Sequence, residues 1–424
     1  MKRKFSEVSL ETDTSKGNYC PMRIVLLNQF FWPDTVATAQ HLTDLAVGLA
    51  QENEVTVICS DTGAQGPNQN TQLGPNIQII RTRGFRFSHR GPDRIASYLS
   101  YLAGAVWQCF RLPRADVYFT LTTPPILSPI GSVFAALRGG RHLIWEMDVY
   151  PDIACDLGYL KHQGILDRLV GAILDWSRRR AAGLIALGED MKARLVAHGV
   201  PEEKIHVAEI WSDGREITPL PLSEGPLVIL YSGNLGLAHE IDTVLGAMER
   251  LRNRPDFRFV FVGGGPKRPK LEAACREKNI DNVEFRPYCP RENLGESLSE
   301  GHIGLVTQLP QTIGSLVPSK MYGIMAAGRP FLYIGPGGST PAQHIDRFQC
   351  GWKISLGDVD GLEQLLLLLK DNRHLIAEAG VRARLAFEQN FDRSIGVERI
   401  LRIIGAKRQS GELVSKLTPS AVGD

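Results

Sequence analysis

Apolar runs of four to six residues alternate with amphipathic stretches of ten to fifteen along almost the whole chain. The runs Arg23 to Leu27, Val55 to Cys59, Ile77 to Arg81, Val117 to Leu121, His142 to Trp145 and Gly183 to Leu187 predict strands. Helical spacing lies between them, as in Ala39 to Gln51, where Leu42, Leu45, Ala46 and Leu49 recur on one face. Strand, helix, strand in succession predicts parallel sheets with helices on both faces. The pattern pauses at Ile210 to Pro226, IWSDGREITPLPLSEGP, rich in Pro, Gly and turn residues. It restarts with a strand at Val228 to Tyr231, a helix at Ile241 to Leu251 and a strand at Phe259 to Val262, and runs on to Cys350 to Ile354. Consecutive helices follow from Asp358 to Ala406, with no persistent heptad. The expected class is α/β, with two doubly wound, Rossmann-like domains over 21–212 and 227–391. A linker is expected over 213–226, a closing helix over 392–406, a disordered leader over 1–20 and a flexible tail over 407–424.

Composition narrows the class of partner. The 48 basic and 46 acidic residues nearly cancel, which argues against a nucleic-acid binder. Seven cysteines, an odd number with no CxxC pair, read as reduced and intracellular, and no HExxH or Cys/His cluster predicts a metal site. The first twenty residues lack the apolar core of a signal peptide. The uncharged stretch Val117 to Leu137 is long enough to span a bilayer, but Pro124, Pro125, Pro129 and five Ser or Thr residues interrupt it. A strand, a proline-rich loop and a helix are expected there instead. From Arg81 to Trp145 the chain carries nine Arg against two Asp, interleaved with FRF, YLSYL and AVWQCF. That excess is either a solvated face or a surface for anionic headgroups or a lipid-diphosphate acceptor.

Ligands of open parallel sheets bind outside the carboxyl ends of strands, so the loops there carry the candidate chemistry. The first strand opens into QFFWPDTVATAQ rather than G-x-G-x-x-G, which disfavours a dehydrogenase. Phe30, Phe31, Trp32, Pro33, Asp34 and Thr35 form either a substrate-facing loop or a hydrophobic loop in which Asp34 or Thr35 caps the next helix. After His142 to Trp145 come Glu146, Asp148 and Asp152, three carboxylates that are costly unless solvated or used. Asp152 is expected as a helix cap and Asp148 in a cleft. In the second half, Gly233-Asn234-Leu235-Gly236 and Gly263-Gly264-Gly265-Pro266 each follow a strand and precede a helix whose N-terminus suits a phosphate. In GSLVPSKMYGIMAAGRP, Ser319 is expected to cap a helix from Lys320 to Gly328. A lysine in the first turn opposes the helix dipole at a cost of about 0.3–1 kcal/mol, and a bound anion would reverse that sign.

Together NQFFWPD, WEMDVYPD, ALGEDMKARL, KIHVAEIWSDG, YSGNLGLAHEIDTVLGA, FVGGGP and VPSKMYGIMAAGRP resemble, in order and spacing, the family 4 nucleotide-sugar glycosyltransferases. The likeness covers about residues 22 to 405 and leans towards the bacterial exopolysaccharide and lipopolysaccharide branch with the colanic-acid-type enzymes. It implies a GT-B fold, a donor-binding second domain, an acceptor-facing first domain and a last helix that returns to the first. It also implies retaining, metal-independent transfer of a hexosyl or N-acetylhexosaminyl group, without a cofactor, from a UDP- or GDP-sugar to a glycan or polyprenyl-diphosphate-linked acceptor. A cytoplasmic enzyme in reversible contact with an anionic inner membrane follows from the same resemblance.

Carried over by motif, the donor side comprises Gly233, Asn234, His239, Gly264, Gly265, Leu316, Val317, Pro318, Ser319 and Lys320. The acceptor side comprises Trp32, Pro33, Asp34, Thr35 and Asp148, and catalysis is assigned to Lys320, Asn234 and Asp148. The sequence departs from the broad pattern where Asn234 and His239 replace Arg and Lys, and where Ser315 and Gly323 replace a Glu pair. Those departures place neutralisation of the diphosphate on Lys320 with His239. An epimerase on the same fold and a non-catalytic nucleotide-sugar-binding protein are the alternatives.

Overall fold

The computed structural model describes residues 20–61, 73–85 and 91–405. The expected leader up to residue 19 and the expected tail over 407–424 lie outside them. The first half runs β1 (Arg23–Leu27), α1 (Ala37–Leu49), β2 (Glu54–Ser60), β3 (Ile77–Thr82), α2 (Gly91–Arg111), β4 (Val117–Thr120), α3 (Ser128–Arg138) and β5 (Arg141–Trp145). It continues with α4 (Asp152–Asp156), α5 (Ile165–Arg180), β6 (Gly183–Ala186), α6 (Glu189–Ala197) and β7 (Ile205–Val207). These strands form one parallel sheet in the order β3-β2-β1-β4-β5-β6-β7.

The second half runs β8 (Leu227–Ser232), α7 (Asp242–Arg250), β9 (Phe257–Val262), α8 (Arg268–Glu277), β10 (Val283–Arg286), α9 (Leu294–Glu300) and β11 (Ile303–Thr307). Then come α10 (Lys320–Ala326), β12 (Phe331–Ile334), α11 (Thr340–Phe348), β13 (Gly351–Ile354), α12 (Val359–Asp371), α13 (Arg373–Asn390) and α14 (Arg393–Ile404). Its parallel sheet has the order β10-β9-β8-β11-β12-β13. Each sheet reverses its winding once, between β1 and β4 and between β8 and β11, and the connections diverge to opposite faces there, opening a crevice.

Apolar runs become central strands because both faces are covered: every residue of β4, β6, β11 and β12 is buried. In the first half the strand without a matching apolar run is β7, whose three residues, Ile205, His206 and Val207, include an exposed polar one; in the second half β10, β11 and β12 fill the interval in which no single strand was picked out. The stretch Val117 to Leu137 forms β4, a loop and α3, and no helix among the described residues is long and apolar enough to cross a membrane.

The two halves share one continuous apolar core, which takes in Trp145 of the first sheet, Met321, Tyr322 and Phe387 of the second half and Ile400 of α14. α14 lies on α1, so close that a Cβ on Gly48 would stand 2.5 Å from Val397 Cγ1. The indole of Trp211 stacks on Trp145 at 5.6 Å and donates to Asp44 at 2.9 Å. Where the chain passes between the halves, Ser212 bridges Asp392 in parallel: Ser212 N donates to Phe391 O at 3.2 Å and Arg393 N donates to Ser212 O at 2.9 Å.

Candidate active site

Two glycine turns meet at the carboxyl ends of β8 and β9. Gly233, Gly263 and Gly265 all have φ near +120°, a region closed to side chains, and a Cβ on Gly263 would stand 2.2 Å from Gly233 O. Leu235 N donates to Gly264 O at 2.7 Å, and Gly233 N to Val262 O at 2.8 Å, which locks the turns together. The helix does not follow Asn234 directly. α7 starts only at Asp242, after an irregular loop, so the phosphate-ready helix end expected beside Gly233 is displaced. Asn234 is exposed, and its carbonyl accepts from Tyr231 Oη at 2.8 Å.

That Tyr231 hydroxyl also accepts from Lys320, whose Nζ sits 3.7 Å from the ring centre. Lys320 Nζ is 3.4 Å from His239 Nε2, while His239 Nδ1 is 2.8 Å from the carbonyl of Thr307. A carbonyl can only accept, so Nδ1 carries the proton and Nε2 is left as an acceptor for the lysine. Burial pushes His239 down to about 3, with the nearby Lys320 charge adding to the effect. The neutral ring corrects the expectation that His239 shares the positive charge. Desolvation also holds the Lys320 ammonium well below its usual range, and no described carboxylate pairs with it. An anion beside Lys320 would restore its charge.

The segment before Lys320 is built from its own backbone. Ser315 is buried, with its hydroxyl bound to Thr312 O at 3.1 Å, and Val317 and Pro318 are buried as well. Leu316 is partly exposed and Ser319 is exposed. Ser319 does not cap α10: it has helical φ and ψ and makes no side-chain cap bond. The helix ends as expected before Gly328, at φ +66°. Gly323 faces Leu298, Ser212 and Ile217, so its position looks into the junction between the halves.

On the opposite wall, the three carboxylates after β5 have separate fates. Glu146 is buried against the equally buried Arg178, 2.8 Å away, which also binds Asp175 and the carbonyl of Tyr150. Asp152 is the first residue of α4 rather than its cap; it is held by Arg194 at 2.5 Å and by His198 at 3.0 Å. Asp148 alone of the three is left without an ion pair among the described residues. Desolvation, then the neighbouring Glu146 charge, raises Asp148 to about 6. Its backbone pairs antiparallel with Leu316, and Val149 N donates to Ser315 O at 2.8 Å. The carboxylate therefore stands where the first half touches the Lys320 loop.

The loop after β1 contributes less than its aromatic content suggests. Phe30 and Phe31 are buried in the core, and only Trp32 and Pro33 are partly exposed. Asp34 turns back to accept from Phe31 N at 3.3 Å, Thr35 is exposed, and the N-cap of α1 is Val36, so neither Asp34 nor Thr35 caps the helix. Two contributors were not picked out from sequence: Tyr231, one residue from the end of an apolar run, and Tyr288, whose exposed ring lies over Gly263 and Gly264.

Comparison with known proteins gives this cleft its context. A family model described as a glycosyl transferase 4-like domain matches residues 37–211, and one described as glycosyl transferases group 1 matches residues 214–384. The chain belongs to the family 4 glycosyltransferases of GT-B fold. The transferase is 23% identical to the probable glycosyltransferase WbjE of Pseudomonas aeruginosa, over 74% of this chain and 82% of that one. It is 26% identical to the putative colanic acid biosynthesis glycosyl transferase WcaI of Escherichia coli K12, over 57% of this chain and 61% of that one. Its fold matches the crystal structure of HepE of Anabaena in complex with UDP at a TM-score of 0.70 and 12% identity, over 91% of this chain and all of that one.

Family 4 transferases typically work without a metal ion. The group with ligand-like spacing among the described residues, Cys155, His162 and Asp167, belongs to the α4–α5 region rather than to the donor or acceptor loops.

Proposed function

We propose that this transferase moves a hexosyl or N-acetylhexosaminyl group, with retention, from a UDP- or GDP-sugar to a glycan or polyprenyl-diphosphate-linked saccharide. The work belongs to cell-surface polysaccharide synthesis on the cytoplasmic side of the membrane. One observation carries the reading: unpaired Asp148 sits on a backbone bridge to Leu316, in the same loop as Lys320, a lysine without a carboxylate partner. A cleft with a half-buried, unpaired lysine on one wall and a protonatable carboxylate on the other suits a substrate that brings its own negative charge. The relative named for colanic acid biosynthesis and the UDP-bound structural neighbour support that class of donor and product.

In the proposed reaction the bond between the anomeric carbon and the donor diphosphate breaks, and its electron pair stays on the diphosphate beside Lys320. The acceptor hydroxyl oxygen bonds to the anomeric carbon on the same face, and its proton passes to a donor phosphate oxygen. The turns of Gly233, Asn234, Gly264 and Gly265 let the donor approach backbone, and the backbone of Leu316, Val317, Pro318 and Ser319 flanks it. Tyr288 offers a ring beside the nucleotide. Asp148 orients the hydroxyls that react, and Trp32, Pro33, Asp34 and Thr35 complete the acceptor-side group.

A melting-temperature screen of UDP-, GDP- and dTDP-sugars, followed by transfer with the sugar that binds, tests the reading. A product of retained anomeric configuration is expected. Isomerised sugar without acceptor, or binding with no transfer to any saccharide or lipid-linked acceptor, would overturn it.

A further inference from the structure

A departing diphosphate carries more negative charge than one ammonium offsets. Asn234 is uncharged and the ring of His239 is neutral, so neither helps Lys320. The other cations around the two glycine turns differ in what already holds them. Arg268 donates to the carbonyls of Gly263 and Arg286 and pairs with Glu272 at 2.6 Å. Arg286 lies between Glu284 and Glu300, and Lys270 is exposed on α8, beyond the turns. Lys267 stands apart. It is half-buried immediately before α8, its Nζ donates to the carbonyl of His239, and among the described residues no carboxylate lies within ion-pair distance of it.

Both turns fix where the Lys267 side chain starts. Lys267 N donates to Leu235 O at 3.1 Å, Arg268 N donates to Gly265 O at 3.2 Å, and a Cβ on Gly265 would stand 2.6 Å from Asn234 Oδ1. His239 then carries a lysine at each polar end: Lys320 Nζ lies 3.4 Å from its Nε2, and Lys267 Nζ is on its main-chain carbonyl. Burial is the largest cause of the neutral ring, and the charges of Lys320 and Lys267 add to it. A neutral residue there avoids setting three positive groups at one point. Desolvation lowers Lys267 too. Asp242 and Glu240 oppose that from beyond ion-pair distance, and Glu240 is committed to α7, its Oε1 accepting from Thr243 N at 2.8 Å.

We propose that Lys267 is a second donor-binding cation, which holds the His239 loop through one N–H and the diphosphate of the nucleotide-sugar through the others. An ammonium has three N–H groups and the carbonyl takes one, so the ligand needs no rearrangement of the loop. The two lysines flank His239, and the diphosphate charge is shared between the segment that opens α10 and the turn that opens α8. The assignment rests on the donor reading above, and the experiment separates the two.

Affinity of the full chain for UDP and for GDP is measured by calorimetry in about 50 mM and about 500 mM salt, for wild type, Lys267→Gln, Lys267→Arg, Lys270→Gln and Lys320→Met. Melting temperature without nucleotide checks folding. Glutamine can still donate to the His239 carbonyl but brings no charge, whereas arginine keeps the charge. For the nucleotide that wild type binds, Lys267→Gln should weaken affinity by about ten- to a hundredfold at low salt, as loss of a hydrogen bond to a charged group does, and by less at high salt. Lys267→Arg should retain most of the affinity, and Lys270→Gln, with the same change in net charge, should retain it. Binding by Lys320→Met should still weaken with salt, because the second cation remains. Wild-type affinity in Lys267→Gln, an equal fall in Lys267→Arg, a deficit of the same size at both salt concentrations, an equal fall in Lys270→Gln, or salt-independent binding by Lys320→Met would each overturn the role of Lys267 and leave the donor reading standing. Wild type that binds neither nucleotide would overturn both.

Discussion

Lys320 Nζ meets His239 Nε2 at 3.4 Å, and the imidazole accepts because its other nitrogen is committed to the carbonyl of Thr307. The donor wall thus carries one desolvated lysine, held well below its usual range, whose neighbours, a neutral ring and the Tyr231 hydroxyl, bring it no negative charge. Lys320→Met should lower transfer by about 2–4 kcal/mol of transition-state stabilisation, or roughly 30- to 1,000-fold. The check is single-turnover transfer at saturating donor, with melting temperature as the control for folding. Undiminished turnover would remove Lys320 from the mechanism.

Asp148 should show the opposite signs in stability and activity. Its folded pKa of about 6 lies above the ordinary 3.8, so ionisation is penalised only in the folded state. The penalty is absent below about pH 4, grows as pH rises and is complete above about 6. Asp148→Asn should therefore melt higher than wild type at pH 8, by a stabilisation of about 1–3 kcal/mol, and equally at pH 4. The same variant should lose most transfer, and the wild-type rate should rise with pH through about 6 while the variant's does not. Equal melting at both pH values would refute the assigned burial.

The ion cluster under α6 sets a pH window for folding. His198 is raised to about 9 by its hydrogen bonds to Asp152 and Asp175, and Asp152 is lowered to about 2, although its burial opposes that, by His198 and Arg194. These shifts are two views of one contact. The histidine's contribution is complete below about pH 6.5 and lost as pH rises through about 9; the carboxylate's is complete above about 4 and lost as pH falls through about 2. His198→Gln should cost about 2–3 kcal/mol at pH 6 and little at pH 10. Chemical denaturation at the two pH values measures it.

Gly263→Ala should destabilise by about 1–3 kcal/mol and abolish the donor-induced melting shift, because its φ is +122° and a Cβ would strike Gly233 O. Gly337→Ala, with nothing within 4 Å of its Cβ, is the matched control and should change neither. A normal donor response in Gly263→Ala would mean that the interlocked turns do not shape the donor site.

Most of the first sheet's positions could be read from the chain, because strands buried on both faces leave short apolar runs bounded by turn residues. Ile205 to Val207 escaped because three residues with a histidine at the centre show no run. The caps at Asp34, Asp152 and Ser319 failed for a shared reason: each residue has local cap chemistry, but stronger partners or the local backbone geometry decide its conformation. The site was legible as loops and illegible as pairs. Glu146 and Arg178 lie 32 residues apart, Tyr231 and Lys320 lie 89 apart, and sequence spacing carries no trace of either contact.

The main chain passes between the halves twice, and the two passages are hydrogen-bonded to each other at Ser212 and Asp392, with Gly214 N also donating to the Asp392 carboxylate at 3.1 Å. Two strands pinned at one point act as a single hinge pin. Sliding and twisting of one half past the other would tear these bonds, whereas rotation about the pin bends them only slightly. Three more hydrogen bonds cross between the halves away from that point in sequence: Val149 N to Ser315 O, Arg194 to Ile313 O, and Thr340 Oγ1 to the Asp190 carboxylate. The same two domains that supply the donor and acceptor loops are therefore tied to each other by main chain, by core and by side chain at once.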